Sequence, residues 1–253
     1  MFAPERQKKI LERLESDGSV SVARLSEELA VTEETVRRDL EKLEKQDLLR
    51  RTHGGAIPPG GGTNEASLEK RKTVNVDAKQ RMARAAARHI ASGDTVFLDA
   101  STTTYFMAKE LKGLKNVTVI TNSLRVIDCL VGCDGIRLIA VGGAVSVNRS
   151  FVGALAERSI EENYFANKMF FSSKGVTADG GILESNEQEC GIKRRMLKNS
   201  KTKYYLGDKS KAGSIGFVKL ADFDEIDFFI TDAEPCAALA AQLDDGGASV
   251  IVV

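Results

Sequence analysis

Tryptophan is absent from this sequence of 253 residues, and histidine, proline and cysteine occur only two, four and four times. The cysteines show neither CxxC spacing nor a neighbouring histidine pair, which argues against a structural zinc site and predicts reduced thiols. Cys129 and Cys133 are four residues apart, so on a helix they would share a face and could ligate a metal. Small thiols packed in a core are the favoured interpretation. We therefore predict that the chain has no metal site.

A net charge of either sign is also missing, because 36 Lys and Arg residues balance 36 Asp and Glu residues. Bulk charge thus gives no indication of a nucleic-acid partner, and only local patterns can. The sequence has no run of roughly 18 apolar residues that would span a bilayer. Charged residues begin at Glu5, which is not typical of a secretory signal. These absences predict a cytoplasmic protein with no membrane partner.

The chain is long enough for two unequal domains, and 42% of its residues are hydrophobic, which suffices for a core. The first 56 residues have the pattern of short helices and a hairpin, whereas Val- and Ile-rich segments alternate with helical ones after about residue 90. The segment from Pro58 to Asn64 between them is rich in proline and glycine and cannot continue a helix. We predict an N-terminal domain at residues 1–57, a linker at 58–74 and a second domain at 75–253.

The N-terminal domain has the pattern of a helix-turn-helix. The sequence predicts one helix from Pro4 to Ser16, a second from near Ser21 to Ala30, and a third for which Thr32 is the N-cap. The apolar residues of the third helix share one face: Val36, Leu40 and Leu43. Its charged residues lie on the opposite face: Glu34, Arg38, Glu41 and Lys45. Residues 48–56 alternate around a Gly-Gly turn and predict a wing, so the third helix would enter the major groove of DNA.

A basic segment follows the linker. Residues 65–90 hold seven basic and three acidic residues, and their pattern predicts one helix from Leu68 to Ile90. Two interpretations are open. The favoured one is a solvated helix face, and the other is a surface that lies close to phosphates.

The second domain alternates strands and helices, which predicts an α/β fold with a largely parallel sheet. The segment Gly93–Asp99 predicts a turn that leads into a buried strand. The other predicted strands are Val117–Thr121, Ile136–Val141, Lys168–Ser172, Lys203–Leu206, Phe228–Thr231 and Ser249–Val253. Ligands of such folds bind at the carboxyl ends of the strands. Four polar or glycine-containing segments fall there: Asp99–Thr104, Thr121–Ser123, Gly142–Gly143 and Ser173–Gly175.

Hydroxyl residues stand where one strand meets a helix that is predicted to begin at Tyr105. The helix amides and the hydroxyls of Ser101, Thr102 and Thr103 would form a cradle for an anion such as phosphate. The alternative is an N-cap cluster that only satisfies the helix start. Charged groups suited to a sugar phosphate are also available: Lys174, Glu189, Lys193, Asp208 and Lys211.

The segment Thr32–Leu40, with Leu43 and then Arg51–Ala56, closely resembles the DeoR family of bacterial transcription regulators. The family motif has isoleucine where Val36 stands here. The resemblance implies operator DNA as a partner and a set of DNA-binding residues: Thr32, Glu34, Thr35, Arg37, Arg38, Arg51 and His53. Arg38 points outward and suits a guanine or a phosphate, whereas Thr35 and Arg37 suit the DNA backbone.

The resemblance extends over the second domain, where the family has an effector domain similar in fold to ribose-5-phosphate isomerase that senses phosphorylated sugars. It implies a pocket with these effector-binding residues: Asp99, Ser101, Thr102, Thr103, Asn122, Gly142, Gly143, Lys174, Gly175, Glu189, Asp208 and Lys211. Many members have glycine at the position of Ser101. A Cβ atom there narrows the approach to the backbone but adds a hydroxyl donor.

The predicted function is a transcriptional repressor of a carbohydrate catabolic operon, controlled by a sugar phosphate and needing no cofactor. The alternative is an isomerase-like enzyme with an added DNA-binding domain. The carboxylate-rich loop of the isomerases is absent, since Phe171–Val176 holds no Asp or Glu. A purely architectural DNA-binding protein would leave the second domain unexplained. Because operators commonly mirror protein symmetry, a homodimer or homotetramer is predicted.

Overall fold

The computed structural model describes residues 2–17, 19–46, 48–52, 54–57 and 68–253, and in it three helices and a small antiparallel sheet form the N-terminal domain. The elements are α1 (Ala3–Asp17), β1 (Val20–Ser21), α2 (Val22–Leu29), α3 (Glu33–Glu44), β2 (Arg50–Thr52) and β3 (Gly55–Ile57). Strand β3 lies between β1 and β2. The predicted helices and wing are confirmed. The sequence pattern does not predict β1, because two residues are too few to show an alternation.

Side-chain caps fix the helix-turn-helix. Ser21 Oγ accepts a hydrogen bond from Arg24 N at 3.2 Å, and Thr32 Oγ1 accepts one from Thr35 N at 3.3 Å. Ala30 follows α2 in the left-handed region, with φ at 52°. Apolar residues from all three helices form one core: Ile10, Leu14, Leu25, Leu29, Val36, Leu40 and Leu43. The predicted apolar face of α3 is therefore the buried one.

A buried ion pair connects α1 to α3. Asp39 is 2% exposed, and its carboxylate accepts hydrogen bonds from Arg6 Nε and from Gln7 Nε2, the latter at 2.9 Å. Losing either partner of a buried pair strands a charge away from water. The pair therefore ties the position of α3 to that of α1.

Two helices, α4 (Leu68–Thr73) and α5 (Val76–Ala87), precede the large sheet. The prediction of a single helix from Leu68 to Ile90 is wrong, because Val74 and Asn75 interrupt it and Asn75 has a φ of 54°. Helix α4 falls inside the predicted linker, whereas residues 58–67 of that linker lie outside the described residues. The domain boundaries stay a prediction.

The rest of the chain alternates strands and helices. The strands are β4 (Thr95–Leu98), β5 (Val117–Thr121), β6 (Ile136–Ala140), β7 (Ala144–Val145), β8 (Phe151–Val152), β9 (Ala166–Phe171), β10 (Gly175–Thr177), β11 (Gly181–Glu184), β12 (Ser200–Leu206), β13 (Val218–Ala221), β14 (Phe228–Thr231) and β15 (Ser249–Val252). The helices are α6 (Thr102–Leu111), α7 (Leu124–Leu130), α8 (Ala154–Asn163), α9 (Glu187–Lys198) and α10 (Ala237–Asp245).

Seven of these strands form a parallel sheet in the order β15-β14-β12-β9-β4-β5-β6. Helices cover both faces, as parallel sheets require. Val96 and Leu98 of β4 enter one core with residues of α5, α6 and α7, whereas Phe97 enters the other core with residues of α8, α9 and α10. The predicted fold class, a winged helix-turn-helix with a mostly parallel α/β domain, is confirmed.

Two smaller antiparallel sheets are not predicted by the sequence pattern. Strands β10, β11 and β13 form one, and β7 and β8 form the other. Helix α6 begins at Thr102 rather than at Tyr105, because the cap lies three residues earlier than predicted. Cys129 and Cys133 pack against the core of α5, α6 and α7, as expected of small core thiols.

Among the described residues, no helix is both long enough and apolar enough to cross a membrane.

Candidate functional site

A cavity of about 380 Å³ opens at the carboxyl ends of the parallel strands. Six of the predicted effector-binding residues line it: Ser101, Thr102, Lys174, Glu189, Asp208 and Lys211. Further polar and charged residues that the prediction did not include among them line it too, including Arg71, Asn75, Lys79, Asn148, Glu184 and Lys193. The sheet, the helices before it and the β7–β8 hairpin thus all contribute to one site.

The start of α6 forms one wall of the cavity. Ser101 is the N-cap, and its Oγ accepts a hydrogen bond from Thr104 N at 3.2 Å. Thr104 Oγ1 donates to Asp99 Oδ1 at 2.8 Å. Two of the four hydroxyl groups are therefore used by the cap, as one interpretation predicts. The first amides of a helix have no partner within it, so those at Thr102 and Thr103 can still bind an anion, as the other interpretation predicts.

A buried charge cluster supports the floor of the cavity. Lys193 Nζ lies 3.0 Å from Asp99 Oδ2 and 2.5 Å from Glu184 Oε1, and it donates to Ser172 O at 2.7 Å. Burial alone would lower the pKa of the Lys193 amine, but the carboxylates of Glu184 and Asp99 together raise it above its ordinary value. Lys193 is therefore charged, and Asp99 holds Lys193 rather than lining the cavity.

Among the described residues, no carboxylate forms an ion pair with the amines of two other lysines of the cavity, although Asp208 attracts both. Lys79 is 4% exposed, and its Nζ donates to Arg71 O and Val74 O, both at 2.7 Å. Burial, followed by repulsion from Lys211, lowers the pKa of Lys79 to about 8. Burial also lowers the pKa of Lys211, whose Nζ makes no hydrogen bond or ion pair among the described residues. Bringing an anion between these two amines would relieve the repulsion.

The cavity also holds groups that suit hydroxyls. Glu189 is 5% exposed and accepts hydrogen bonds from the hydroxyls of Ser150 and Ser146, the latter at 3.1 Å. Burial raises the pKa of the Glu189 carboxyl. Asp208 Oδ1 accepts a hydrogen bond from Asn75 Nδ2 at 2.8 Å. The cavity therefore combines cationic groups with hydrogen-bond acceptors, as a phosphorylated polyol combines an anion with hydroxyl groups.

The remaining predicted effector-binding residues do not reach the cavity wall: Thr103, Asn122, Gly142, Gly143 and Gly175. Asn122 Nδ2 instead donates to Phe151 O at 3.1 Å. A Cβ atom on Gly175 would lie 2.0 Å from Ser214 O, so this glycine permits a close approach of two backbone segments. Gly143 has a φ of 151°, and a Cβ atom there would lie 2.8 Å from Val152 O. These two glycines shape the backbone around the site.

The sequence gives only a weak signal for Lys79 and Arg71. Both belong to the basic segment at 65–90, for which a solvated face is the favoured interpretation. That interpretation is wrong for these two residues, since both line the cavity and Arg71 donates to Asn148 Oδ1 at 3.0 Å. The interrupted helix turns them inward, and the pattern of one continuous helix could not show this.

The predicted DNA-binding residues of α3 lie on the surface. The side chains of Arg37 and Arg38 are 53% and 74% exposed, and each pairs with a glutamate one turn earlier, Glu33 and Glu34. Such exposed pairs are weak and can exchange for phosphates or bases. The Thr32 hydroxyl caps α3 and contacts Thr35 Oγ1 at 2.9 Å.

The wing carries a further predicted residue, Arg51, whose side chain is 43% exposed. Its backbone N donates to Glu44 Oε1 at 2.7 Å, which joins the wing to the end of α3. His53 lies outside the described residues. The structure thus presents α3 and β2 side by side on one domain, as a helix and a wing that read adjacent parts of a duplex would be.

Two family models match this chain. The DeoR-like helix-turn-helix domain matches residues 6–59, and the DeoR C terminal sensor domain matches residues 74–233. The chain is 40% identical to the uncharacterized HTH-type transcriptional regulator YulB of Bacillus subtilis (strain 168), covering 100% of this chain and 98% of that one. It is 34% identical to the HTH-type transcriptional repressor GlcR of the same strain, covering 100% and 97%.

Two further comparisons reach more distant proteins. The chain is 30% identical to the glycerol-3-phosphate regulon repressor of Escherichia coli (strain K12), covering 97% of each chain. Among solved structures, ribose 5-phosphate isomerase A from Methanocaldococcus jannaschii matches with a TM-score of 0.42 and 16% identity, covering 55% of each chain.

Proposed function

Since the chain belongs to the DeoR family of transcriptional regulators, which bind DNA and are not enzymes, we propose that it represses a carbohydrate catabolic operon and that a phosphorylated sugar controls it. The sugar phosphate would bind in the cavity at the carboxyl ends of the parallel strands. Its arrival would weaken binding to the operator, so the ligand would act as an inducer.

The cationic part of the cavity carries this proposal. Lys79 and Lys211 both have a lowered pKa, neither amine forms an ion pair within the described part of the chain, and both border the same cavity as the start of α6. A phosphate placed there would gain two charged donors and the helix amides together. Glu189 and Asp208 would accept from the sugar hydroxyls. One relative bears a name that fits this chemistry, the glycerol-3-phosphate regulon repressor of Escherichia coli (strain K12).

The operator would be read by α3 and the wing. Arg38, the more exposed arginine of α3, would contact a base or a phosphate, and Arg37, Thr35 and Arg51 would hold the DNA backbone. Thr32 and Glu34 would support them, through the cap and through the pair with Arg38.

The working form would be a homodimer or homotetramer in the cytoplasm, because one winged helix reads few base pairs and paired half-sites need paired domains. We expect analytical ultracentrifugation of the purified chain to give a mass of at least two protomers at micromolar concentration. A monomer that binds its operator with full affinity would contradict this expectation.

A thermal-shift screen tests the ligand. Ligand binding to the folded state raises the apparent Tm by mass action. We expect Tm to rise with ribose 5-phosphate, glucose 6-phosphate, fructose 1-phosphate or glycerol 3-phosphate, and not with the same compounds lacking phosphate. The Lys211→Met variant should lose the shift, whereas Lys201→Met, an exposed lysine of β12, should keep it. Equal shifts by sugars with and without phosphate would refute the proposal.

A further inference from the structure

The cavity has a second wall that belongs to the N-terminal domain. Residues from the end of α1, from β1 and from α2 line it opposite the sheet: Arg13, Asp17, Ser19, Ser21, Arg24 and Glu28. The site proposed for the sugar phosphate is therefore bordered by both domains.

Three contacts bring the two domains together there. Lys174 Nζ donates to Asp17 O at 2.7 Å. The guanidinium carbon of Arg50 on the wing lies 5.8 Å from the centre of the Phe217 ring. A Cβ atom on Gly54 of the wing would lie 3.2 Å from Ile215 Cδ1. The end of α1 and the wing thus abut Lys174 and the segment before β13.

Arg24 stands out among the charged residues of this second wall. It lies in the first turn of α2, and its guanidinium makes no hydrogen bond or ion pair among the described residues. Arg13, by contrast, is paired with Glu28 at 3.0 Å. An exposed, uncommitted guanidinium that borders a cavity with two cationic lysines is suited to bind the same anion as they do, because guanidinium groups bind phosphate in a bidentate fashion.

We infer that Arg24 of the DNA-binding domain is a ligand-binding residue, and that an occupied cavity holds this domain docked against the sensor domain. The inference rests on the proposed function, since it names how the same site acts. The docked domain turns its wing and the start of α2 towards the sensor domain. In helix-turn-helix proteins the helix equivalent to α2 crosses the DNA backbone. The docked and DNA-bound arrangements therefore compete, and a ligand that binds only the docked one shifts the population away from DNA.

Calorimetry on the full chain tests the role of Arg24 without DNA. The probes are inorganic phosphate, ribose 5-phosphate, glucose 6-phosphate and glycerol 3-phosphate, each titrated into the unchanged protein and into Arg24→Ala. We expect the Kd of the tightest probe to rise about tenfold in Arg24→Ala, the scale of a lost hydrogen bond to a charged group. Arg158→Ala, an exposed arginine of α8 away from the cavity, is the matched control and should leave Kd unchanged.

Cross-linking tests the docked arrangement itself. Because the native Cys236 is an exposed thiol, the test starts from Cys236→Ser. In this background, Ser19→Cys and Ser214→Cys place one thiol of each domain at the cavity, and a short bismaleimide should join them within one chain. We expect the yield to rise with the probes and to fall when a DNA duplex carrying the operator is added. Mixing the two single variants shows whether the link forms between copies.

The outcomes separate this inference from the proposed function. Probe binding that is lost in Lys211→Met but unchanged in Arg24→Ala would overturn the inference and leave the proposed function standing. The inference would also be overturned if no cross-link formed, if it formed only between copies, or if its yield did not change when the probes were added. If no probe binds, the proposed function fails and the inference falls with it.

Discussion

At the residue scale, the buried lysines of the cavity differ in what surrounds their amines. Lys193 is held between two carboxylates, whereas Lys79 is held by two backbone carbonyls that carry no full charge. The first arrangement stabilises a charge within the protein, and the second leaves a charge for an external partner. Lys193 is thus a structural residue, and Lys79 is suited to bind a ligand.

Lys79 makes ligand binding depend on pH. Its pKa is lowered to about 8, so its charge is lost as the pH rises through that value. A phosphate ester is already a dianion above pH 7, because its second pKa is about 6. We therefore expect the Kd of the bound sugar phosphate to increase between pH 7 and 9.5. Calorimetry across that range should give a shallower dependence for Lys79→Gln; identical profiles would show that another group is responsible.

Removing the Lys193 amine should destabilise the fold. Lys193→Met would leave the buried carboxylates of Asp99 and Glu184 without their cation, which typically costs about 3–5 kcal/mol. Denaturant titration should show the loss as a lower midpoint. Lys198→Met on the same helix is the control, because Lys198 pairs with Glu161 at the surface, where pairs contribute little. Equal midpoints for the two variants would contradict the structural role of Lys193.

At the scale of elements, the wing depends on the short strand β1. Gly55 of β3 pairs with Ser21 of β1, and a Cβ atom at Gly55 would lie 1.8 Å from Val20 O. Any side chain there forces the strands apart, since backbone atoms cannot yield as a flexible side chain can. The three strands of this sheet therefore form only with glycine at this position.

Gly55→Ala should separate the two binding activities. We expect DNA affinity to fall at least tenfold, because the wing loses its support, and affinity for the sugar phosphate to fall less, because Lys79 and Lys211 on the sensor side of the cavity are untouched. Fluorescence anisotropy with operator DNA and calorimetry with the ligand measure the two effects. Gly113→Ala, where no atom lies within 4 Å of the added methyl group, serves as the control. Undiminished DNA binding by Gly55→Ala would show that the wing is dispensable.

The elements that the sequence predicts well are those with local signals. Val117–Thr121 and Phe228–Thr231 have the predicted bounds, because continuous β-branched and aromatic runs end at polar residues. Helix α3 begins directly after Thr32, because the N-cap signal is local. The strands β1 and β13 are short and pair with β3 and β11, which are distant in the chain, so no local pattern shows them. The strands β10 and β11 form a hairpin whose three- and four-residue strands are too short to show an alternation.

The residues of the candidate site also divide into those with a local sequence signal and those whose placement depends on distant contacts. Ser101 and Thr102 are predicted because ligands of parallel sheets bind where strands end. Lys79 and Arg71 are not, because their inward direction depends on the break at Asn75 and on contacts with Asn148. For Gly143 and Gly175 the sequence predicts a role in ligand binding that their positions do not support. Their sequence positions suggest a ligand, and their surroundings show that they permit close backbone packing.

At the scale of the whole molecule, a net charge of zero conceals local concentrations of charge. Basic residues outnumber acidic ones seven to five in the lining of the cavity, and on α3 the exposed Arg37 and Arg38 lie beside glutamates that DNA could replace as their partners. Two anionic partners, DNA and a sugar phosphate, would thus bind different parts of one neutral chain.

Arg38→Ala tests this separation. The exposed Arg38 should contribute about 1–3 kcal/mol to operator binding if it reads a base, so the operator Kd should rise by at least fivefold. The Kd of the sugar phosphate should stay the same. Anisotropy and calorimetry on one preparation give both values. Loss of both activities would argue against two distinct binding sites.

The bond between Arg51 N and Glu44 Oε1 has a consequence for the DNA that the protein selects. It joins the start of the wing to the last turn of α3. The distance between the helix and the wing is therefore the same in every orientation of the domain on DNA. In a cognate half-site, the positions that α3 and the wing contact must be separated by that same distance. Evolution towards a new operator would therefore change the base pairs that α3 and the wing contact, and it would keep the distance between those two sets of contacts.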